Sequence, residues 1–218
     1  MSTKLTWSQW SKKHEIPRKA LHTSIGFFAL LLQGCGYHAA QIIPVIEIGF
    51  IPAFTGDVIR FNWPAFSRLY NRVIGPLMRE SEKNAWNGVI FYMIGVWIVL
   101  KVFPEEIAVM SVLLLSWCDT TASTVGRKWG KYTPKIAKNK SLAGSLGAFV
   151  CGVFCCYVYW GLFRTGPDSL AAQSRIPFPW LCLINGFIGA FAEAMDVWGL
   201  DDNLVIPVVS ACLLYLIM

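Results

Sequence analysis

The chain has 218 residues, of which 55% are hydrophobic and only 15% are charged. A soluble domain of this size needs more polar surface, so the composition excludes a water-soluble enzyme, a coiled coil and a disordered protein. The formal net charge of +6 could indicate a nucleic-acid ligand. The basic residues, however, are scattered between apolar blocks, as in the cytoplasmic loops of a polytopic membrane protein, and we expect no nucleic-acid partner.

Seven apolar stretches approach the length of about 20 residues that a membrane-spanning helix needs. They cover residues 20–36, 39–56, 85–103, 106–124, 142–163, 178–195 and 204–218. The predicted fold is therefore an all-α, polytopic transmembrane helix bundle with about seven spans, forming one integral-membrane domain over residues 1–218. Because the first apolar block begins only after Arg18, we expect no cleavable signal peptide.

The lysines and arginines are distributed unevenly along the chain. If seven spans alternate in direction, all 19 of them except Lys101, Arg164 and Arg175 fall on one side of the membrane. Because positive charge is retained on the cytoplasmic side, we predict that the N-terminal segment, residues 1–19, is cytoplasmic and that the C-terminus lies across the membrane.

Residues 57–84 form the longest stretch between two predicted spans, and in it aromatic and aliphatic side chains are interleaved with arginines. This pattern favours an amphipathic helix at the cytoplasmic membrane surface, in contact with membrane lipids. A basic loop that only fixes the orientation is an equally good interpretation.

The seven cysteines all lie in or beside apolar stretches. Cysteine behaves there as a small hydrophobic residue, so no disulfide framework is indicated. Cys151, Cys155 and Cys156 resemble a metal-binding spacing, but they lie in the middle of a span with no histidine nearby, and we interpret them as packing residues.

Four groups of polar residues are candidates for chemistry, and all four project to the predicted cytoplasmic side. The first is Arg18-Lys19-x-x-His22 at the mouth of the first span. Arg18 and Lys19 can be explained as an ordinary positive anchor. His22 is harder to explain in this way, because it lies one turn inside the span, where an ionisable side chain costs about 2.5–3.5 kcal/mol.

The second group runs from Asp119 to Gly130 and includes Gly126 and Arg127. An aspartate at the end of an apolar run needs a cation or a metal ion as its partner, and the small residues after it allow phosphate oxygens to approach backbone N–H groups. A structural salt bridge from Asp119 to an arginine is the alternative. This group is the strongest of the four.

The third group is Lys138-Asn139-Lys140-Ser141-Leu142-Ala143-Gly144. Lysines followed by serine and glycine at the start of a span place positive charge and free amides at a helix N-terminus, which is a natural anion site. A helix interface formed by small residues is an equally good interpretation.

The fourth group contains Glu193, Asp196, Asp201, Asp202 and Asn203, between and within the last two spans. Acidic groups of this kind hold magnesium, although a solvated connection would have the same composition. Together the four groups offer what a nucleoside triphosphate and Mg²⁺ require, namely phosphate clamping, charge neutralisation and positioning.

At these motifs the sequence resembles the polyprenol and lipid kinases that use CTP, a family related to the phosphatidate cytidylyltransferases. The likeness is strongest to the fungal CTP-dependent diacylglycerol kinases of the endoplasmic reticulum and nuclear envelope. It covers the chain from about residue 16 to its end and rests on the four groups and Pro207. The sequence before Arg18 is shorter than the hydrophilic extension expected of a fungal member.

The resemblance implies transfer of the γ-phosphate of CTP to diacylglycerol, with Mg²⁺ or Ca²⁺ as the metal, in the endoplasmic reticulum and nuclear membrane. It also implies that Arg18, Lys19, Asp119 and Gly126 are important for activity. We further expect basic side chains to hold the phosphates, and small residues to let the phosphates come close to the backbone. Carboxylate and amide oxygens would hold the metal. The phosphate set is Arg18, Lys19, Gly126, Arg127, Lys138, Lys140, Ser141 and Gly144, and the metal set is Asp119, Glu193, Asp201, Asp202 and Asn203.

Three alternatives remain. A kinase of the same family could act on dolichol or another isoprenoid alcohol. A phosphatidate cytidylyltransferase would make CDP-diacylglycerol, but its usual Lys-Asp pair followed by Pro-Gly-His-Gly-Gly is absent. A transporter or scaffold with a charged pocket would turn over no nucleotide. The sequence predicts neither the oligomeric state nor whether Asp119 is a metal ligand or a general base.

Overall fold

The computed structural model describes residues 11, 15–137, 140–195, 197 and 199–218. Within these ranges, seven long helices or helical rods occupy the positions of the seven predicted spans. The α-helices are α1 Ile16–Gly34, α2 Ala39–Asn62, α3 Pro64–Val73, α4 Gly88–Val102, α5 Glu105–Leu113, α6 Asp119–Trp129, α7 Leu142–Cys156, α8 Leu170–Gln173, α9 Phe178–Ala194 and α10 Asp202–Ile217.

π-Helical turns join or extend two of these helices into rods. Leu114–Cys118 joins α5 to α6, and Tyr157–Phe163 extends α7. Single 3₁₀ turns cover Gly75–Leu77, Glu80–Asn84 and Gly130–Tyr132. The short strands β1 Lys135–Ala137 and β2 Lys140–Ser141 pair as an antiparallel hairpin, which the sequence did not predict.

In the part of the chain that the structure describes, three helices are long and apolar enough to cross a membrane: α2, the rod Glu105–Tyr132 and the rod Leu142–Phe163. Helices α4, α9 and α10 are also apolar but shorter. Helix α1 has 19 residues and carries Arg18 and Lys19 in its first turn. The predicted all-α membrane bundle is confirmed.

The α5–α6 rod is the central helix of the bundle. Nearly every residue of α5 and of the π-helical turn is buried, which is expected of a helix that is apolar on all sides. Helices α1, α7, α9 and α10 pack around this part of the rod. The π-helical turn ends at Cys118, so its altered winding directly precedes Asp119.

Close helix packing depends on glycines at several crossings in the described part of the chain, of which two border or lie near the site-bearing helices. Where α6 meets α7, a Cβ atom added to Gly144 would lie 3.1 Å from the carbonyl oxygen of Ala122. Where α7 meets α9, a Cβ atom added to Gly152 would lie 2.9 Å from the Cα atom of Gly186. Small residues therefore allow these backbones to touch, as in other membrane bundles.

Segment 57–84 differs in part from its predicted form. Its first six residues continue α2 to Asn62, because Asp57 and Arg60 neutralise each other inside the protein, 2.9 Å apart and almost fully buried. The amphipathic helix α3 and the 3₁₀ turns follow. That this segment lies at the membrane surface stays a prediction.

All seven cysteines are free thiols. The sulfur atoms of Cys118, Cys151 and Cys155 lie within 4.8 Å of one another where α7 meets the central rod. Cys118 and Cys155 are fully buried members of the main hydrophobic core, in agreement with a packing role.

Candidate active site

A polar cavity of about 740 Å³ opens at one end of the bundle, which we call the site end. It collects residues from all four predicted groups, although they lie far apart in the sequence. The predicted residues that line it are Arg18, Asp119, Gly126, Arg127, Lys140, Ser141, Gly144, Glu193 and Asp202.

Asp119 begins α6 and is 7% exposed. The guanidinium of Arg79 lies 4.0 Å from its carboxylate and 3.9 Å from that of Asp202, so one cation bridges the second and fourth groups. Burial alone would lower the pKa of Arg79, but the carboxylates of Asp119, Asp201 and Asp202 raise it above its usual value. Arg79 therefore stays charged in the site.

Arg79 was not predicted as a site residue. The segment that follows it is held in place by Arg60, which donates hydrogen bonds to the carbonyl oxygens of Glu82 (2.9 Å) and Ala85 (2.8 Å). Asp57 in turn accepts a 2.7 Å hydrogen bond from the backbone N–H of Asn87. The buried pair thus fastens the segment that carries Arg79 to the end of α2.

Lys140 makes a second bridge between carboxylates. Its ammonium group lies 3.0 Å from Asp202 and 3.8 Å from the carboxylate of Glu193, and it also donates to the carbonyl oxygen of Glu193. Ser145 donates a 3.5 Å hydrogen bond to the same carboxylate of Glu193. Lys140 therefore ties the hairpin to the ends of α9 and α10.

Arg18 lies in the cavity wall with only 7% of its surface exposed. It pairs with Glu15 at 3.6 Å, and Arg127 pairs with the same carboxylate. The Nη2 atom of Arg18 is buried and has no hydrogen-bond partner among the described residues. The hydrogen-bonding capacity of this guanidinium is therefore incompletely used by the described residues.

The start of α7 forms the glycine-rich wall. Ser141 caps this helix by accepting a 3.3 Å hydrogen bond from the N–H of Gly144. Gly126 of α6 lies directly opposite, since a Cβ atom there would be 3.6 Å from the Cα atom of Gly144. Positive helix-end charge and small residues thus face the cavity together.

Some predicted residues lie outside the cavity wall. Lys19 donates a 2.9 Å hydrogen bond to Thr124 on the neighbouring helix. Asn203 is 2% exposed and donates to the carbonyl oxygen of Gly88 at 3.2 Å, away from the cavity. His22 lines a separate apolar groove between α1, α2, α4 and α5, which we call the apolar groove. Lys138 and Asp196 lie outside the described residues.

Asp201 stands beside the cavity and caps α10 by accepting a 2.9 Å hydrogen bond from the N–H of Asn203. Burial raises the pKa of Asp201 above its usual value, against the opposing effects of this N–H group and of Arg79.

The carboxylates fit a hard divalent cation in their chemistry. Asp119, Glu193 and Asp202 face the cavity, and carboxylate oxygens are the ligands that Mg²⁺ and Ca²⁺ prefer. Arg79 and Lys140 now bridge these carboxylates, so a metal ion and the two cations would share the same oxygen atoms.

The chain is similar to proteins of several organisms. A CTP-dependent diacylglycerol kinase 1 of Eremothecium gossypii is 44% identical over 217 residues, covering 94% of this chain and 68% of that protein. The protein of the same name in Saccharomyces cerevisiae is 42% identical over 208 residues, covering 91% and 72%. An uncharacterized protein of Rickettsia prowazekii is 32% identical over 162 residues, covering 72% of each. No family model and no solved structure matches the chain.

Proposed function

Because the chain belongs to the CTP-dependent diacylglycerol kinase family, we propose that it transfers the γ-phosphate of CTP to the free hydroxyl of diacylglycerol, giving phosphatidate and CDP. The observation that carries the proposal is the polar cavity. Arginine, lysine and carboxylate side chains line this cavity of about 740 Å³, at one end of an otherwise apolar bundle.

The phosphates of CTP are held by the basic wall of the cavity. Arg18 offers a buried guanidinium nitrogen that has no partner in the described part of the chain. The N-terminus of α7 offers its positive helix end, while the N–H groups of its first three residues are bonded within the protein, to Pro134, Thr133 and Ser141. Charge-assisted hydrogen bonds from basic side chains such as Arg18 stabilise the transferring phosphoryl group.

The acceptor hydroxyl is activated at Asp119. The hydroxyl oxygen forms a bond to the γ-phosphorus, while the bond from that phosphorus to the β–γ bridging oxygen breaks and its electrons leave with CDP. We assign the hydroxyl proton to the Asp119 carboxylate, which lines the cavity and interacts electrostatically with His22 at the boundary of the apolar groove.

Glu193, Asp201 and Asp202 are the residues that would hold Mg²⁺ or Ca²⁺, beside Asp119, which takes the hydroxyl proton. When bound, such an ion neutralises phosphate charge. Asn203 is the weakest member of the predicted metal set, because it is 2% exposed and does not line the cavity.

We place the protein in the endoplasmic reticulum and nuclear membrane, with the N-terminus and the site end facing the cytoplasm. The basic residues of the cavity are on the side that the charge distribution assigns to the cytoplasm. CTP then reaches the site from water, and diacylglycerol reaches it from the surrounding leaflet.

A labelling assay tests the proposal. The purified protein is incubated in mixed micelles with diacylglycerol, or separately with phosphatidate, and with CTP labelled at the α or the γ phosphate. We expect only the γ label to enter lipid, as phosphatidate, and EDTA to stop the transfer until Mg²⁺ or Ca²⁺ is restored. Asp119→Asn should lower the rate at least about a hundredfold, the usual size of a lost general base.

Asp168→Asn is the matched control, because Asp168 is a 74% exposed carboxylate at the opposite end of the bundle. Its rate should equal that of the unchanged protein. Transfer of the α label to phosphatidate would instead identify a cytidylyltransferase. Transfer to dolichol but not to diacylglycerol would identify an isoprenoid-alcohol kinase, and no transfer to any lipid would favour a transporter or scaffold.

A further inference from the structure

The apolar groove has a volume of about 590 Å³ and runs along the outside of the bundle. Its walls are one face of α1 and the first turns of α2, and its floor is α4 and α5. Phe28 on one wall is 56% exposed and Val45 on the other is 68% exposed, so the groove is open along its length. In a membrane-embedded bundle, that opening faces lipid.

One polar side chain lies where the groove approaches the site end. His22 is 8% exposed, and its Nδ1 atom is buried without a hydrogen-bond partner in the part of the chain that the structure describes. Its ring forms a T-shaped pair with the ring of Tyr92, at a centroid distance of 5.3 Å. Leaving a buried nitrogen without a hydrogen bond costs free energy. This indicates that a bound ligand supplies the missing hydrogen bond.

His22 also connects the groove to the polar cavity. Asp119, Arg18 and Arg79 interact electrostatically with its imidazole, and all three line the cavity. A molecule with an apolar tail in the groove would therefore place its polar head between His22 and Asp119.

The length of the groove limits the tail. From His22 to Gln33, which line its two ends, α1 rises about 17 Å. Half of a bilayer's hydrocarbon core is about 15 Å thick, so the groove matches the depth of one leaflet. At its far end the lining becomes polar, with Gln33, Gln41 and Glu105.

We propose that the apolar groove holds an acyl chain of the glycerolipid acceptor, with the free hydroxyl of that lipid at His22 and facing Asp119. This proposal rests on the proposed function. It adds the route by which the lipid enters the site and a selectivity for the length of its acyl chain. The lipid slides in from the leaflet through the open side, between α1 and α2. A polyisoprenoid alcohol is disfavoured, because its much longer chain would meet the polar far end.

Chain-length kinetics test the proposal. Ala29 lies in the middle of the groove, about 10 Å beyond His22 along α1. Ala29→Phe should fill the groove there and raise KM for dioleoylglycerol at least about tenfold, since fewer methylene groups can be buried. KM for CTP should not change, and turnover of dihexanoylglycerol, whose chains end before Ala29, should persist and show that the variant is folded.

Ala40→Phe is the matched control, because Ala40 is an exposed residue in the first turn of α2 that does not line the groove. It should behave like the unchanged protein with both lipids. Equal KM values for dioleoylglycerol in the Ala29→Phe and Ala40→Phe variants would overturn the proposal. A change in the oligomeric mass of Ala29→Phe with unchanged kinetics would overturn it too, and would assign the groove to a second copy of the chain.

A photoreactive diacylglycerol with a diazirine in one acyl chain separates this proposal from the kinase proposal. Without CTP it should label peptides of α1, α2 and α4, and Ala29→Phe should reduce that labelling severalfold. Groove labelling without phosphate transfer would contradict the kinase function while keeping the lipid site. Phosphate transfer with labelling only at other helices would keep the kinase and overturn the groove.

Discussion

At the scale of single residues, Glu82 predicts a pH dependence of stability. Its carboxylate is 5% exposed, and its Oε1 atom has no hydrogen-bond partner among the described residues. Burial raises the pKa of Glu82 above its usual value, against the opposing effects of Arg18 and of the N–H groups of Gly88 and Arg79. The folded protein therefore binds this proton more tightly than the unfolded chain does, and it loses stability as the pH rises through the two pKa values.

We expect Glu82→Gln to remove that loss. Melting temperatures are measured in detergent from about pH 4 upwards. As the pH rises above the usual pKa of glutamate, the variant should melt at an increasingly higher temperature than the unchanged protein. Glu80→Gln is the control, since that side chain is 73% exposed, and its difference from the unchanged protein should stay constant. A constant difference for Glu82→Gln as well would contradict the assignment.

Site residues next to apolar runs could be predicted from the sequence. An ionisable group at such a position costs free energy in the membrane, so its presence indicates a function. Asp119 and Glu193 are examples, and both line the cavity. Arg79 could not be found in this way, because it stands in a polar segment among other arginines. Its place in the site depends on the buried pair of Asp57 and Arg60, which is a long-range feature of the fold.

At the scale of helices, the crossing of α7 and α9 predicts a strong effect of one methyl group. A Cβ atom added to Gly186 would lie 2.7 Å from the carbonyl oxygen of Phe149, and backbone cannot move aside as a flexible side chain can. Gly186→Ala should therefore separate the helices and cost about 1–3 kcal/mol, as other overpacked cores do. Thermal unfolding in detergent measures the loss.

Gly75→Ala is the comparison for this prediction. Gly75 lies in a 3₁₀ turn, and a Cβ atom there would meet nothing within 4 Å. Its melting temperature should equal or exceed that of the unchanged protein, since alanine reduces the freedom of the unfolded chain. If Gly186→Ala melted at the same temperature as Gly75→Ala, the close contact of α7 and α9 would be wrong.

The long apolar stretches of the sequence predicted where the spans lie, because each such stretch must be shielded from water by lipid or by the protein core. The fifth predicted span, 142–163, has the same bounds as the rod Leu142–Phe163. The second span was predicted too short, because the prediction stopped at Asp57, whereas α2 continues past it. The hairpin of β1 and β2 has too few residues to give a strand pattern, so only the structure reveals it.

At the scale of the whole molecule, charge is divided between the two ends of the bundle. The site end carries the arginines and lysines of the polar cavity. At the opposite end, Lys101 pairs with Glu47 and Arg164 pairs with Glu106, so two of the few basic residues there are neutralised. The positive-inside rule therefore predicts that the site end faces the cytoplasm.

This orientation predicts opposite fates for the two chain termini. With an odd number of spans, a tag of several Asn-x-Thr sequons should receive glycans when fused after Met218 and none when fused before Met1. The natural sequon Asn139-Lys140-Ser141 should also stay unmodified, because Lys140 and Ser141 line the cavity where CTP is proposed to bind from the cytoplasm. An endoglycosidase shift on gels reads out all three sites. Glycans on the N-terminal tag or at Asn139 would invert the orientation, and would place the site where cytoplasmic CTP cannot reach it.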